Sequence, residues 1–172
     1  MQSTKAYIML ICATLFWAGN FIIGKYAFLT EIPPLSLVFY RWLLVWVILL
    51  PFTYKDIIKY KDIILSNLPL LFFLGLTSVG LFNSFTYLSL VYTQVINSSL
   101  FNTAIPAIII LLCFLFKVEK TNKFQISGLL ISVCGILAII TKLNLDILLS
   151  LNFNKGDLIM IGGVLTWGIY ST

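Results

Sequence analysis

Polar interruptions divide the chain into six apolar runs, at about residues 6–28, 34–52, 68–91, 95–116, 124–141 and 157–172. At about 1.5 Å of rise per residue, each of the first five is long enough to cross roughly 30 Å of hydrocarbon as a helix. The sixth falls short, with about 16 residues or roughly 24 Å of helix. None shows the alternation over about ten residues that marks a barrel strand. The pattern predicts an all-α, polytopic membrane helix bundle. Turn chemistry separates the runs. "TEIPP" closes the first hairpin, its prolines opening the second helix, where missing N–H groups cost little. "YKDIIKYKD" reads as a polar link, "YTQ" as a tight hairpin, and "KVEKTNK" and "KLNLDILLSLNFNKGD" as the last two connections.

Composition agrees: 60% of residues are hydrophobic, 10% are charged and the mean hydropathy is +1.06, too little polar surface to wrap a soluble globule. The net charge of +5 raises the question of nucleic acid, but the lysines fall in short loops, where they report topology instead. Lys5, Lys55, Lys59, Lys61, Lys117, Lys120 and Lys123 fall on one side of the membrane, and Lys25, Lys142 and Lys155 on the other. The positive-inside bias places the N-terminus in the cytoplasm. Cys12, Cys113 and Cys134 lie within apolar runs without metal-ligand spacing, so no metal site and no cofactor is expected. With no histidine, no glycine-rich phosphate loop and no nucleophile beside a base, no catalytic residue is expected either.

An internal echo suggests how the bundle is organised. At an offset of 150 residues, Ile11 matches Ile161, Leu15 matches Leu165 and Trp17 matches Trp167, with Ala18 and Gly168 both small. The second copy lies five helices after the first, and five is odd, so it enters the membrane inverted. Inverted repeats are the plan of alternating-access transporters, with the substrate site near the midplane between the halves.

The order "FWAGNFIIGKYA", "PPLSLVFYRWLL", "YLSLVYTQVINSSLFNTAIPAIIILLCFLFKVEK", "QISGLLISVCGILAI" resembles the EamA-type members of the drug/metabolite transporter superfamily, over essentially the whole chain. The resemblance implies ten helices in two inverted five-helix repeats. It also implies a multi-pass protein of the inner membrane that moves small metabolites such as amino acids, often outward. The family pattern falls on Trp17, Asn20 and Lys25, on Arg41, on Tyr87 and Tyr92, on Pro106, on Glu119, and on Gly128 and Gly135. On this reading residues 1–142 form the first repeat and residues 143–172 a loop and the start of the second. The chain would then be a fragment, functional through the missing repeat, through a homodimer, or as an interaction module. Its partners would be a small-molecule substrate and the bilayer, not nucleic acid.

The residues that bear chemistry allow bland and functional readings. Trp17, Asn20 and Gly24 share one helical face, which serves for packing through an interhelical hydrogen bond or for substrate contact. Trp167 and Tyr170 hold the corresponding places in the sixth helix. Arg41 costs roughly 2.5–3.5 kcal/mol within a span unless paired or wet; an anionic substrate group, helix-end carbonyls or snorkelling to the surface would resolve this. Lys25, nearer a membrane surface, is expected to snorkel. Ser98, Asn102 and Pro106 follow a spacing of four, a substrate-facing hinge or a plain kink. Gly128, Ser132 and Gly135 form a small-residue stripe suited to close helix packing, and Glu119 is expected to pair locally or cap the fifth helix. The candidate cavity is thus lined by Trp17, Asn20, Arg41, Asn83, Tyr87, Asn102, Trp167 and Tyr170.

Overall fold

The computed structural model describes residues 2–118, 122–140 and 154–172. Everything regular among them is helical. The first helix, α1 (Gln2–Leu29), ends in a Schellman motif. Ile32 N–H reaches the Ala27 carbonyl at 3.0 Å and Glu31 N–H the Phe28 carbonyl at 3.0 Å. Glu31 takes the left-handed position with φ 64°, where glycine is the usual occupant. Pro33, extended, then opens α2 (Pro34–Lys59).

The polar link expected after residue 52 is instead helical. α2 runs on through Pro51 to Lys59, and α3 (Lys61–Ser66) follows after a single non-helical residue, Tyr60. Residues 52–67 contain neither glycine nor proline, so nothing breaks the helix once it has left the apolar stretch; polarity marks the membrane boundary and not the helix end.

The third apolar run becomes α4 (Leu68–Gly75), a π-helical segment (Leu76–Leu81) and α5 (Phe82–Tyr92). The fourth divides into α6 (Val95–Asn102) and α7 (Ile105–Phe116). At the break, Thr103 and Ala104 N–H groups reach back only three residues, to Leu100 and Phe101 at 3.0 Å each. Pro106, without an N–H, sits just inside α7. α8 (Lys123–Ile140) is capped reciprocally: Asn122 N–H donates to Gln125 Oε1 at 2.7 Å and Phe124 N–H to Asn122 Oδ1 at 3.3 Å. That is the capping-box arrangement. Glu119, expected to cap here, lies outside the described residues. The last helix is α9 (Lys155–Ser171), capped by Asn154.

Four helices among the described residues are long and apolar enough to span a membrane: Thr4–Leu29, Pro34–Lys59, Leu68–Tyr92 and Val95–Phe116. Their outer faces are densely apolar, Phe16, Ile22, Phe39, Phe52 and Phe72 among them, each more than 60% exposed to the surroundings, as lipid demands. Inside, α9 is the keystone. Met160 and Val164 pack with Phe82, Phe101 and Ile105 in one core cluster, while Phe21, Val38, Tyr87 and Leu90 form a second between α1, α2 and α5.

Close approach of α9 depends on its glycines. A Cβ on Gly156 would lie 2.6 Å from the Ser89 carbonyl oxygen and 2.8 Å from the Thr93 amide nitrogen, and one on Gly168 would lie 2.7 Å from Ile108 Cγ2. The stripe expected to fill this role, Gly128 and Gly135 on α8, has open space where a Cβ would stand, so no described element approaches it. The contrast is testable. Gly156→Ala, which drives a methyl into backbone, is expected to destabilise the protein by about 1–3 kcal/mol. Gly128→Ala should stay within about 0.5 kcal/mol of the parent. Unfolding midpoints in detergent check the pair; equal effects would refute the packing described.

Candidate functional site

The third spanning helix, Leu68–Tyr92, prepares the site. Thr77 Oγ1 back-bonds to the Phe73 carbonyl at 2.8 Å and Ser78 Oγ to the Leu74 carbonyl at 2.6 Å, competition of the kind that bends helices. Across the π-helical segment the ladder slips by one residue. The side chain of Asn83 compensates, its Nδ2 donating to the carbonyls of Ser78 at 3.2 Å and Val79 at 3.0 Å. Such slips put irregular backbone where it lines a cavity or lies buried, the two places a membrane tolerates it.

Here the segment walls a cavity of about 590 Å³. From α1 come Trp17 and Asn20, from α2 Arg41 and Trp42, from the third helix Ser78, Asn83 and Thr86, and from α9 Trp167 and Tyr170. The two tryptophans that echo each other in the sequence line the same space. Its aromatic wall is continuous: ring centroids of Phe82 and Trp167 are 4.6 Å apart, and those of Trp167 and Tyr170 5.3 Å apart.

The polar centre is a closed triangle across three helices. Arg41 Nη1 donates to Asn20 Oδ1 and to the Tyr87 hydroxyl oxygen, and the Tyr87 hydroxyl donates to Asn20 Oδ1. The guanidinium carbon lies 5.3 Å from the Trp42 ring centroid and 5.7 Å from that of Tyr87. Arg41 therefore neither snorkels nor relies on helix-end carbonyls; its partners are an amide and a phenol. Hydrogen bonds to a charged group contribute about 1.5–3 kcal/mol each, so two of them offset roughly 2.5–3.5 kcal/mol of insertion cost. Gly24 permits the approach, since a Cβ there would run into the Tyr87 ring and lie 3.1 Å from Leu90 Cδ1.

Of the expected cavity residues, Trp17, Asn20, Arg41, Asn83, Trp167 and Tyr170 line the space, and Tyr87, 2% exposed, is tied to it through the triangle. Asn102 is not among the lining residues: it ends α6 at the break before Pro106, its Oδ1 buried and without a hydrogen-bond partner among the described residues. Ser98, on the same stripe, is fully buried and shares a 2.8 Å hydrogen bond with Ser89, both hydroxyls also touching Met160 Sδ. The polar start of the fourth helix thus holds helices together. Lys25 differs from expectation as well: instead of snorkelling, its Nζ donates to the carbonyls of Leu90 at 2.6 Å and Thr93 at 3.1 Å. These carbonyls end α5 and carry the negative end of its dipole. Among the lining residues missed from sequence, which include Phe21, Ser78 and Phe82, Trp42 and Thr86 each bury a polar atom, indole Nε1 and hydroxyl Oγ1, that finds no partner among the described residues. Only the adjacency of Trp42 to Arg41 could have flagged them.

Comparisons with known proteins give this bundle a family. The model of the EamA-like transporter family matches residues 4–141. The chain belongs to that family. Among curated relatives, an uncharacterized transporter of Archaeoglobus fulgidus is 32% identical over 99% of this chain and 57% of its own length. The uncharacterized transporter YyaM of Bacillus subtilis is 26% identical over 99% of the chain and 55% of its own length. A WAT1-related protein of Arabidopsis thaliana is 28% identical over 78% of the chain. The chain thus spans somewhat more than half the length of the first two. No solved structure matches it. The matched family region supplies α1 to α8, while the second aromatic wall comes from α9, beyond residue 141.

If the triangle acts as a unit, its members must be energetically coupled. Tyr87→Phe is expected to cost about 1–3 kcal/mol of stability, and Asn20→Ala should cost less in that background than in the parent, a coupling of about 0.5–3 kcal/mol. Unfolding of the two single variants and the double variant measures it; strict additivity would show that the three side chains do not act together.

Proposed function

We propose that the cavity is the substrate site of a secondary transporter for small metabolites such as amino acids, working by alternating access between two inverted repeats. Arg41 carries the reading. Its Nη1 is committed to Asn20 and Tyr87, which fixes the guanidinium plane and leaves Nε and Nη2 to offer a ligand carboxylate in the paired geometry that suits it. Trp42 and Thr86 line the same space. Trp17, Phe82, Trp167 and Tyr170 suit an apolar or aromatic side group. The volume, about 590 Å³, lies in the range of small-molecule pockets.

The direction proposed is export, as the family resemblance implies. Trp17 and Asn20 lie well inside α1, and Trp167 and Tyr170 about three to four turns into α9, so the cavity spreads from mid-bundle toward the side on which α1 begins. With the positive-inside bias, that side is the cytoplasm, from which an exporter of the inner membrane would load.

Quenching of the intrinsic tryptophan fluorescence tests the recognition. Neutral α-amino acids are expected to quench the detergent-solubilised protein saturably, their decarboxylated amines at least ~10-fold more weakly. Arg41→Gln should weaken amino-acid binding by a similar factor, about 1.4 kcal/mol. Equal binding of acid and amine, unchanged by Arg41→Gln, would refute a carboxylate site at Arg41.

A further inference from the structure

Beyond the triangle, at the end of the bundle where α1 and α5 finish and α9 starts, lies a second polar cluster. Everything in it grips the last turn of α5. From α1, Lys25 Nζ holds the Leu90 and Thr93 carbonyls. From α9, Asp157, 8% exposed, accepts the Thr93 hydroxyl at 2.9 Å, and the cap residue Asn154 donates through Nδ2 to the Tyr92 carbonyl. Each charge sits at the helix end that favours it, the ammonium at the C-terminus of α5 and the carboxylate in the first turn of α9. Gly156, between Asn154 and Asp157, lets the α9 backbone touch Ser89 and Thr93.

Two spaces lie on opposite sides of this cluster. On one side is the 590 Å³ cavity, whose α9 wall at Trp167 is ten residues, about 15 Å, from Asp157. On the other is a polar vestibule of about 400 Å³, lined by Lys25, Tyr92, Gln94, Asn97 and Asn154. Between them, among the described residues, stand the contacts of Lys25 and Asp157 with α5 and the cluster in which Tyr87 and Leu90 pack with Phe21 and Val38 and against Gly24. Water or a solute entering the vestibule meets the polar cluster first, and a seal made of hydrogen bonds can reopen at low cost because water replaces each partner as it leaves.

We infer that Lys25 and Asp157, clasping Thr93 from either side, with Asn154 on Tyr92, form the gate that closes the cavity toward the face opposite the N-terminus. The inference rests on the alternating-access reading above and adds the groups that must part for the second half of the cycle. Releasing α5 from Lys25 and Asp157 frees α1 and α9 to separate from it, which joins vestibule and cavity into one path.

The test uses the full chain in oriented membranes, with Cys12, Cys113 and Cys134 replaced by alanine and a reporter from Ser78→Cys in the cavity wall. A membrane-impermeant maleimide is applied to one face at a time. The parent is expected to react from the N-terminal face and at least ~10-fold more slowly from the other. Lys25→Ala and Asp157→Asn should raise the rate from the opposite face about tenfold or more while reaction from the N-terminal face persists, which also reports that the bundle is folded. Lys25→Arg, keeping charge and donors, should restore the seal. Opposite-face rates in both variants that match the parent would overturn the gate while leaving the cavity standing. A reporter that reacts from neither face in the parent would overturn the cavity, and the gate with it.

Discussion

Hydrocarbon offers no hydrogen bonds, so every polar group that enters the bundle must find its partner there. The Arg41, Asn20 and Tyr87 triangle is where this constraint is most severe and where the rest of the structure is organised around it. Three helices are tied at one height, Gly24 is small so that Tyr87 can reach in, and the π-helical segment with its Asn83 plug lies alongside. Burying a guanidinium solely to bind helices would be a poor use of it, since apolar residues of similar volume often stabilise as well. On the reading proposed above, partial satisfaction, with donors left over at a cavity wall, serves a ligand.

A second constraint is steric. Without a hydrophobic force between helices in lipid, association depends on close packing, and α9 achieves it through glycines set against α5 and α7. That packing brings Trp167 and Tyr170 to the cavity and Asp157 to the end of α5. The same helix therefore completes the aromatic wall and places Asp157 against Thr93 at the other end.

Much of this was legible from sequence because hydrophobic length and turn residues are local signals. The apolar runs, the Pro33 and Pro34 hairpin, the break near Pro106 and the shared placement of Trp17 and Trp167 follow from them. The extension of α2 through residues 53–59 was missed because polarity was read as an end of helix. The π-helical segment was missed because a slip in register has no periodic signature; only the Thr77, Ser78 and Asn83 side chains that serve it hint at its place. Glycine stripes look alike in one dimension, so Gly128 and Gly135 were read as a packing face that the described structure leaves open, while Gly156 and Gly168 carry it. Partner choice is three-dimensional: Lys25 near a membrane surface reads as snorkelling until the end of α5 is seen beside it.

The central claim is that α1, α2, α5 and α9 enclose one wet cavity around Arg41. Single cysteines at Trp17, Asn20, Asn83 and Trp167, on the same cysteine-free background in native membranes, test it most directly. All four are expected to react with a water-soluble reagent, unlike a cysteine at the lipid-facing Phe39, and a saturating neutral amino acid should protect them. No reaction at any of the four, beside normal labelling of loop positions, would contradict the account.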